Sequence, residues 1–255
     1  MGEFTVGHNF GSCPDKLACL FRVSCVSPAL HPSWIIVNLL HILLLVYWLG
    51  ADVGTYYASR FVADARLSSA ARATAAKIML GVDLLPRVAM PLMLASGVHL
   101  AADMGALAWA WPALVWQVGA WSLCGAWLAM VLAIHHHTAG PGWLVRVDFW
   151  FRVALAAGLA LAVAGALLWQ RPPLLPWLAI KLLAFAATVA CGLMIRVKLR
   201  PFGPAFAQIM RGGNEAAMTV ANTTLAASIA GCKPYVWAIW ALLVLASAAG
   251  LHYLP

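Results

Sequence analysis

Six long apolar runs constrain this chain more than any other feature. They cover 34–58, 78–101, 111–134, 148–169, 174–197 and 234–254. A helix needs about 20 apolar residues to cross the hydrocarbon of a bilayer. Inside that layer the backbone polar groups must be satisfied within the segment. The pattern predicts an all-α, polytopic integral membrane bundle of about six transmembrane helices. The sixth run can be extended back to an amphipathic helix starting near Asn214. Only 9% of the 255 residues are charged, against about a quarter in a soluble domain. That excludes a soluble globular domain, a disordered chain and a disulfide-stapled secreted domain. Abundant Ala and Gly permit close helix packing, and Trp near the run ends suits interfacial anchoring.

The formal charge of +8 would point to nucleic acid only if the basic residues formed a patch. They fall between the apolar runs instead, so no nucleic-acid partner is expected. The first loop (59–77) carries Arg60, Arg66, Arg72 and Lys77 against Asp64. The third carries Arg146, and the fifth Arg196, Lys198, Arg200, Arg211 and Lys233 against Glu215. The second has Asp103 without Lys or Arg, and the fourth only Arg171. By the positive-inside rule the odd loops are cytoplasmic and both termini face outward. The expected location is a bacterial-type inner membrane, with membrane lipid as the surroundings.

Residues 1–32 read as a tail, either disordered or upstream of an alternative start at Val23 or Val26, and 33–255 as the transmembrane domain. Cys13, Cys19 and Cys25 match no zinc or redox spacing. Cys124, Cys191 and Cys232 read as small packing residues.

Ionisable groups inside a span are expensive and so are functional candidates. His41 lies seven residues below Trp34, about 10 Å deep, and Lys181 four below Trp177, about 6 Å. With His99 and His252 near their helix ends, these form a possible outer layer. An inner layer holds Asp52, Asp83, Arg87, Asp148 and Arg152. Each Asp–Arg pair is spaced i, i+4 and can neutralise itself on one helix face. The segments around the two pairs share V-D-x-x-x-R-V-A, which admits a duplicated helical hairpin. Pro86 and Pro91 free the carbonyls of Val82 and Arg87, so a kink is expected there. Such pairs also serve simply to lock helices together.

Three chemistries compete. A b-type haem needs a neutral interior imidazole, a second ligand or an open face, and cations near its propionates. His41 is the best ligand and His99 the best second ligand, although an intramembrane His also serves as an interhelical hydrogen bonder. Copper would suit Met90, Met93, His99 and Met104, since thioether and imidazole favour Cu(I); methionines are also common core fillers. His135-His136-His137 ends the third helix, where cationic side chains complement the dipole; two of them remain possible metal ligands. Asn222-Thr223-Thr224 falls in a cytoplasmic or helical stretch, where a glycosylation sequon has no meaning. No ATP-binding or hydrolase motif occurs.

The first helix reads His41-Ile42-Leu43-Leu44-Leu45-Val46-Tyr47-Trp48-Leu49-Gly50. This His-x6-Trp-x-Gly pattern resembles the first helix of the CopD/HemJ-like membrane proteins. Gly54-Thr55-Tyr56-Tyr57-Ala58-Ser59-Arg60-Phe61-Val62 is similar to the stretch ending the first HemJ helix, and Trp177-Leu178-Ala179-Ile180-Lys181-Leu182 resembles a W-x-x-x-K-L motif opening a later one. The resemblance implies haem binding at His41, with Trp48 and Arg60 in the cofactor environment and Lys181 as a propionate or substrate partner. The chain departs in having Asn38 where Lys is common and in one additional hairpin.

The leading expectation is thus a haem b-binding redox protein, with membrane-bound oxidoreductase activity left open. Lys181, Asp52, Asp83 and Arg87 would handle charge and protons, and a quinone or other membrane-diffusible redox partner would exchange electrons. Protoporphyrinogen oxidation and simple electron transfer both remain open. A CopD-like copper protein, a non-catalytic scaffold and a homo-oligomer are the alternatives.

Overall fold

Inside a bilayer the cheapest place for a peptide group is its own helix, and helix accounts for nearly all the secondary structure of this chain. The computed structural model describes residues 32–107, 111–136, 142–169 and 174–251. They form α1 (Pro32–Ala63), α2 (Ser69–Val82), α3 (Leu84–Asp103), α4 (Ala113–His136), α5 (Gly142–Trp169), α6 (Pro176–Lys198), α7 (Phe202–Arg211) and α8 (Glu215–Gly250). Six segments are long and apolar enough to cross a membrane, α2–α3 forming one and α6–α7 another. The protein is an all-α, multi-pass bundle, as the six runs anticipate. The tail cysteines, His137, Pro141, Arg171 and His252 lie outside the described residues.

The element ends differ from the hydropathy boundaries for local reasons. Half of the anticipated first loop is the Ala-rich α2. Its start is fixed by Ser68, whose hydroxyl accepts the Ala71 N–H at 3.2 Å. The Asn214 side chain likewise accepts the Ala217 N–H at 2.9 Å and begins α8, so the sixth span does extend back to that residue. Between α2 and α3 the helix breaks at Asp83. Pro86, three residues on, has no N–H to offer the Val82 carbonyl.

Helix α6 packs along α8, α3 lies between α1 and α4, and α5 leans on α6. Trp48 and Trp127, both almost fully buried, anchor a central core with Leu44, Met90, Val189 and Leu243. A second core joins Val62, Met79, Ile209 and Leu225 at the end where α2 and α7 sit. Leu39, Val46, Leu161, Leu168 and Val244 point outward, the inverse of a water-soluble surface and suited to lipid.

Arg72 is not a solvated loop charge. It is only 2% exposed. Its Nε donates to the Val62 carbonyl at 2.9 Å and its Nη1 to Asn222 Oδ1 at 2.7 Å. One guanidinium thus ties the end of α1 to α2 and α8. Asn222 is an internal partner in α8, which gives the sequon-like triplet a structural reason. Asn222→Leu removes an acceptor from a buried cation; it is expected to cost about 1.5–3 kcal/mol, read by denaturant titration of the protein in mixed micelles.

Candidate functional site

Two polar layers cross the bundle. The outer one is built on His41 of α1. Its Nδ1 is 2.8 Å from Ser96 Oγ on α3. The Ser96 hydroxyl spends its single proton on its own helix, 2.8 Å from the Leu92 carbonyl and 3.2 Å from that of Met93. Ser96 therefore accepts from His41, which assigns the proton to Nδ1 and leaves the lone pair on Nε2. The ring rests on Gly97, where a Cβ would come 3.3 Å from His41 Cε1. Lys181 of α6 is near enough to act electrostatically on His41. Its ammonium lies 5.7 Å from the Trp177 ring centroid. It also lies over Gly250 of α8, where a Cβ would come within 2.6 Å of Nζ. Two small residues thus make room for these two side chains, which the depths read from sequence place in one layer.

His99 is set differently from the sequence expectation. Trp121 of α4 donates its indole N–H to His99 Nδ1 at 3.3 Å. The other nitrogen, Nε2, lies 3.4 Å from Asp103 Oδ2, and Gln117 donates to Asp103 at 2.6 Å. Nδ1 is thus engaged across to α4, and Nε2 faces Asp103 of its own helix, which Gln117 of α4 reaches in turn. Depth along the helix did not reveal this; rotation about the helix axis decides it. Trp48 and Arg60 are also displaced from the expected cofactor environment. Trp48 is about 10 Å below His41 and packs edge-on against Phe185 at 6.3 Å. Arg60 is about 28 Å below His41, exposed, and sits over Tyr57.

The Met90 sulfur accepts from Arg152 Nη1 at 3.2 Å, Met93 packs against the central core and Met104 is exposed. Among the described residues no group of three or more His, Cys, Asp or Glu is placed to hold a metal ion. His135 and His136 are exposed at the end of α4, their rings edge to face, as the dipole argument allows.

The inner layer surrounds a cavity of about 200 Å³ between α1, α2, α3, α5, α6 and α8. Behind two of its lining residues, Arg152 and Arg196, lies Asp148, which is fully buried. Its oxygens accept from Arg152 Nε at 3.0 Å, from Arg196 Nη1 at 2.5 Å and from the Trp127 indole at 3.3 Å. The Arg152 guanidinium also lies 5.0 Å from the Trp127 ring centroid. The sequence anticipated a self-neutralising Asp148–Arg152 pair. The structure adds Arg196, which lies in the last turn of α6 and reaches Asp148 inside the protein instead of standing in a loop. Asp83 and Arg87 do pair as their spacing predicts, but at the cavity mouth with both side chains part-exposed. Asp52 Oδ2, Thr55 Oγ1 and Arg152 Nη2 are buried and have no hydrogen-bond partner among the described residues, and all three residues line the cavity.

Sequence reasoning missed Ser96, Thr55, Arg196 and Lys233 as site residues. Ser96 and Thr55 carried the weak signal of a hydroxyl within an apolar run. Arg196 and Lys233 were masked by an orientation rule that counts them as loop charges. The chain matches no protein-family model, no curated protein and no solved structure.

The two Asp–Arg pairs should respond unequally to the same change. Asp148→Asn leaves two cations without a counter-charge and is expected to cost about 3–5 kcal/mol. Asp83→Asn, in a part-exposed pair, should cost under about 1 kcal/mol. Parallel denaturant titrations in mixed micelles check the ranking, and equal losses would refute the sealed clamp.

Proposed function

We propose that this multi-pass membrane protein binds haem b at His41 and carries electrons in a bacterial-type inner membrane. One observation carries the reading: His41 offers a lone-pair Nε2 with no hydrogen-bond partner among the described residues, while Ser96 holds the opposite nitrogen. A ligating imidazole needs this arrangement, in which the remote N–H is fixed by an acceptor and the ring is oriented. The donor set fits one axial ligand. His99 is occupied by Trp121 and Asp103, so the reading assigns His41 alone and leaves the other face open.

When bound, haem supplies one-electron chemistry, its potential set by axial ligand, burial and neighbouring charge. The protein's own residues do the rest. Ser96 fixes the tautomer and orientation of His41. Gly97 lets the ring lie flat against α3. Lys181 supplies a positive charge in the same layer and suits a propionate carboxylate. Electrons would be exchanged with a quinone or other membrane-diffusible partner. On the inner side Asp52, whose Oδ2 is unpartnered, is the residue suited to holding a proton, since Asp83 is committed to Arg87.

Optical spectra of the purified protein, oxidised and dithionite-reduced, test this. A sharp reduced α-band is expected in the wild type and in His99→Ala, and its loss in His41→Ala. Ser96→Ala should weaken retention by about 10–100-fold. No Soret band from protein expressed with ample haem, or a spectrum unchanged in His41→Ala, would overturn the assignment.

A further inference from the structure

The inner cavity carries a function of its own. We infer that it binds a small organic anion, a carboxylate on an apolar body about the size of a benzene ring.

Charge is the first argument. Asp83 and Arg87 cancel each other. Asp148 can cancel only one of Arg152 and Arg196, although both are bonded to it. Lys233 and Asp52 also line the cavity; an ionised Asp52 balances Lys233, and an Asp52 that holds a proton leaves a further positive charge. At least one positive charge therefore remains uncompensated beside a space that water and lipid must fill or a ligand must enter. An unbalanced cation in a poorly solvated interior is expensive, so a monoanion is the species that relieves it.

Geometry is the second argument. Arg152 is only 4% exposed, and its Nε and Nη1 are taken by Asp148 and Met90. Its Nη2 is buried without a partner. A buried guanidinium N–H left open in this way is an unmet donor, which costs free energy until an acceptor reaches it. Arg196, bonded to Asp148 through Nη1, brings a second guanidinium to the same cavity. A carboxylate accepts from such donors with the stronger, charge-assisted kind of hydrogen bond.

Shape and lining are the third. Apart from the charged heads, the walls are largely apolar, with Trp48, Met79, Ile195, Ile229, Val236 and Ile239 among them. A dry apolar cavity of about 150 Å³ holds a benzene molecule, so about 200 Å³ accommodates a ring with its acid group. A bare inorganic anion would leave the apolar walls uncovered, and a neutral aromatic would leave Arg152 Nη2 unmet. The site lies about 16 Å below His41 along α1 and is independent of what His41 binds.

The full-length protein in nanodiscs of zwitterionic lipid provides the test, with benzoate as probe and benzamide as its neutral counterpart, read by calorimetry. Benzoate is expected to bind at least about tenfold tighter than benzamide, the factor given by one charge-assisted hydrogen bond. Gly192 lines the cavity, and a Cβ added there meets nothing within 4 Å. Gly192→Leu should therefore fold normally, fill the space and abolish binding. Lys233→Gln, at an exposed position, should weaken benzoate, and Asp52→Asn should tighten it. Equal binding of benzoate and benzamide, or binding that survives Gly192→Leu, would mean partition into the bilayer and overturn the proposal. Displacement of benzoate on changing to anionic lipid would also overturn it, by giving the site to a lipid headgroup. His41→Ala should leave benzoate binding unchanged.

Discussion

The inner half of the bundle depends on one buried carboxylate. Asp148 is reached by α4 through Trp127, by its own helix through Arg152 and by α6 through Arg196. Arg152 extends the connection to Met90 of α3. Three helices therefore converge on two oxygen atoms, and a fourth is tied in through Arg152. In a soluble protein such a cluster would compete with water for its stabilisation. Between membrane-spanning helices the alternative to pairing is an ion facing hydrocarbon, which is costly on any scale. The clamp therefore fixes which faces of α3, α4, α5 and α6 turn inward, and the cavity beside it is a consequence of that choice.

The two repeats of V-D-x-x-x-R-V-A illustrate how one local pattern acquires two roles. In both, the i, i+4 spacing brings carboxylate and guanidinium together. The α5 pair is sealed by Trp127 and a second arginine. The α3 pair follows a helix break at Asp83 and stays part-exposed at the cavity mouth. Sequence fixes the pairing within a helix, whereas surroundings set whether the pair is a structural lock or an accessible charge.

What was legible in the chain follows from the dimension of the problem. Hydropathy is one-dimensional, so the six spans could be read directly, and so could the depth at which His41 and Lys181 meet. The internal neutralisation of Asp148 by Arg152 was legible too, because helical spacing alone dictates it. Rotation about a helix axis was not. His99 sits at the depth expected of a partner for His41, yet Trp121 and Asp103 take both its nitrogens. Arg60 matched a motif but lies at the far end of a helix 32 residues long. Arg72 and Arg196 were counted as loop charges, since the rule for orientation treats every basic residue near a span end alike. The Ser68-capped helix α2 carries Arg72 inward instead, and Arg196, in the last turn of α6, turns to Asp148.

Small residues make the separation of the two layers possible. Gly97 lets the His41 ring press onto α3, and Gly250 receives the head of Lys181, so both polar groups reach the interior of the outer half without parting the helices. Below them Trp48, Leu44, Val189 and Leu243 fill the section with apolar bulk. That packed section keeps the excess positive charge at the inner cavity from His41, and keeps the open nitrogen of His41 from the buried arginines. A protein with a single continuous polar channel would equalise the two environments. Here the apolar layer lets one end hold the imidazole of His41 and the other the guanidinium groups of Arg152 and Arg196, each in surroundings of its own.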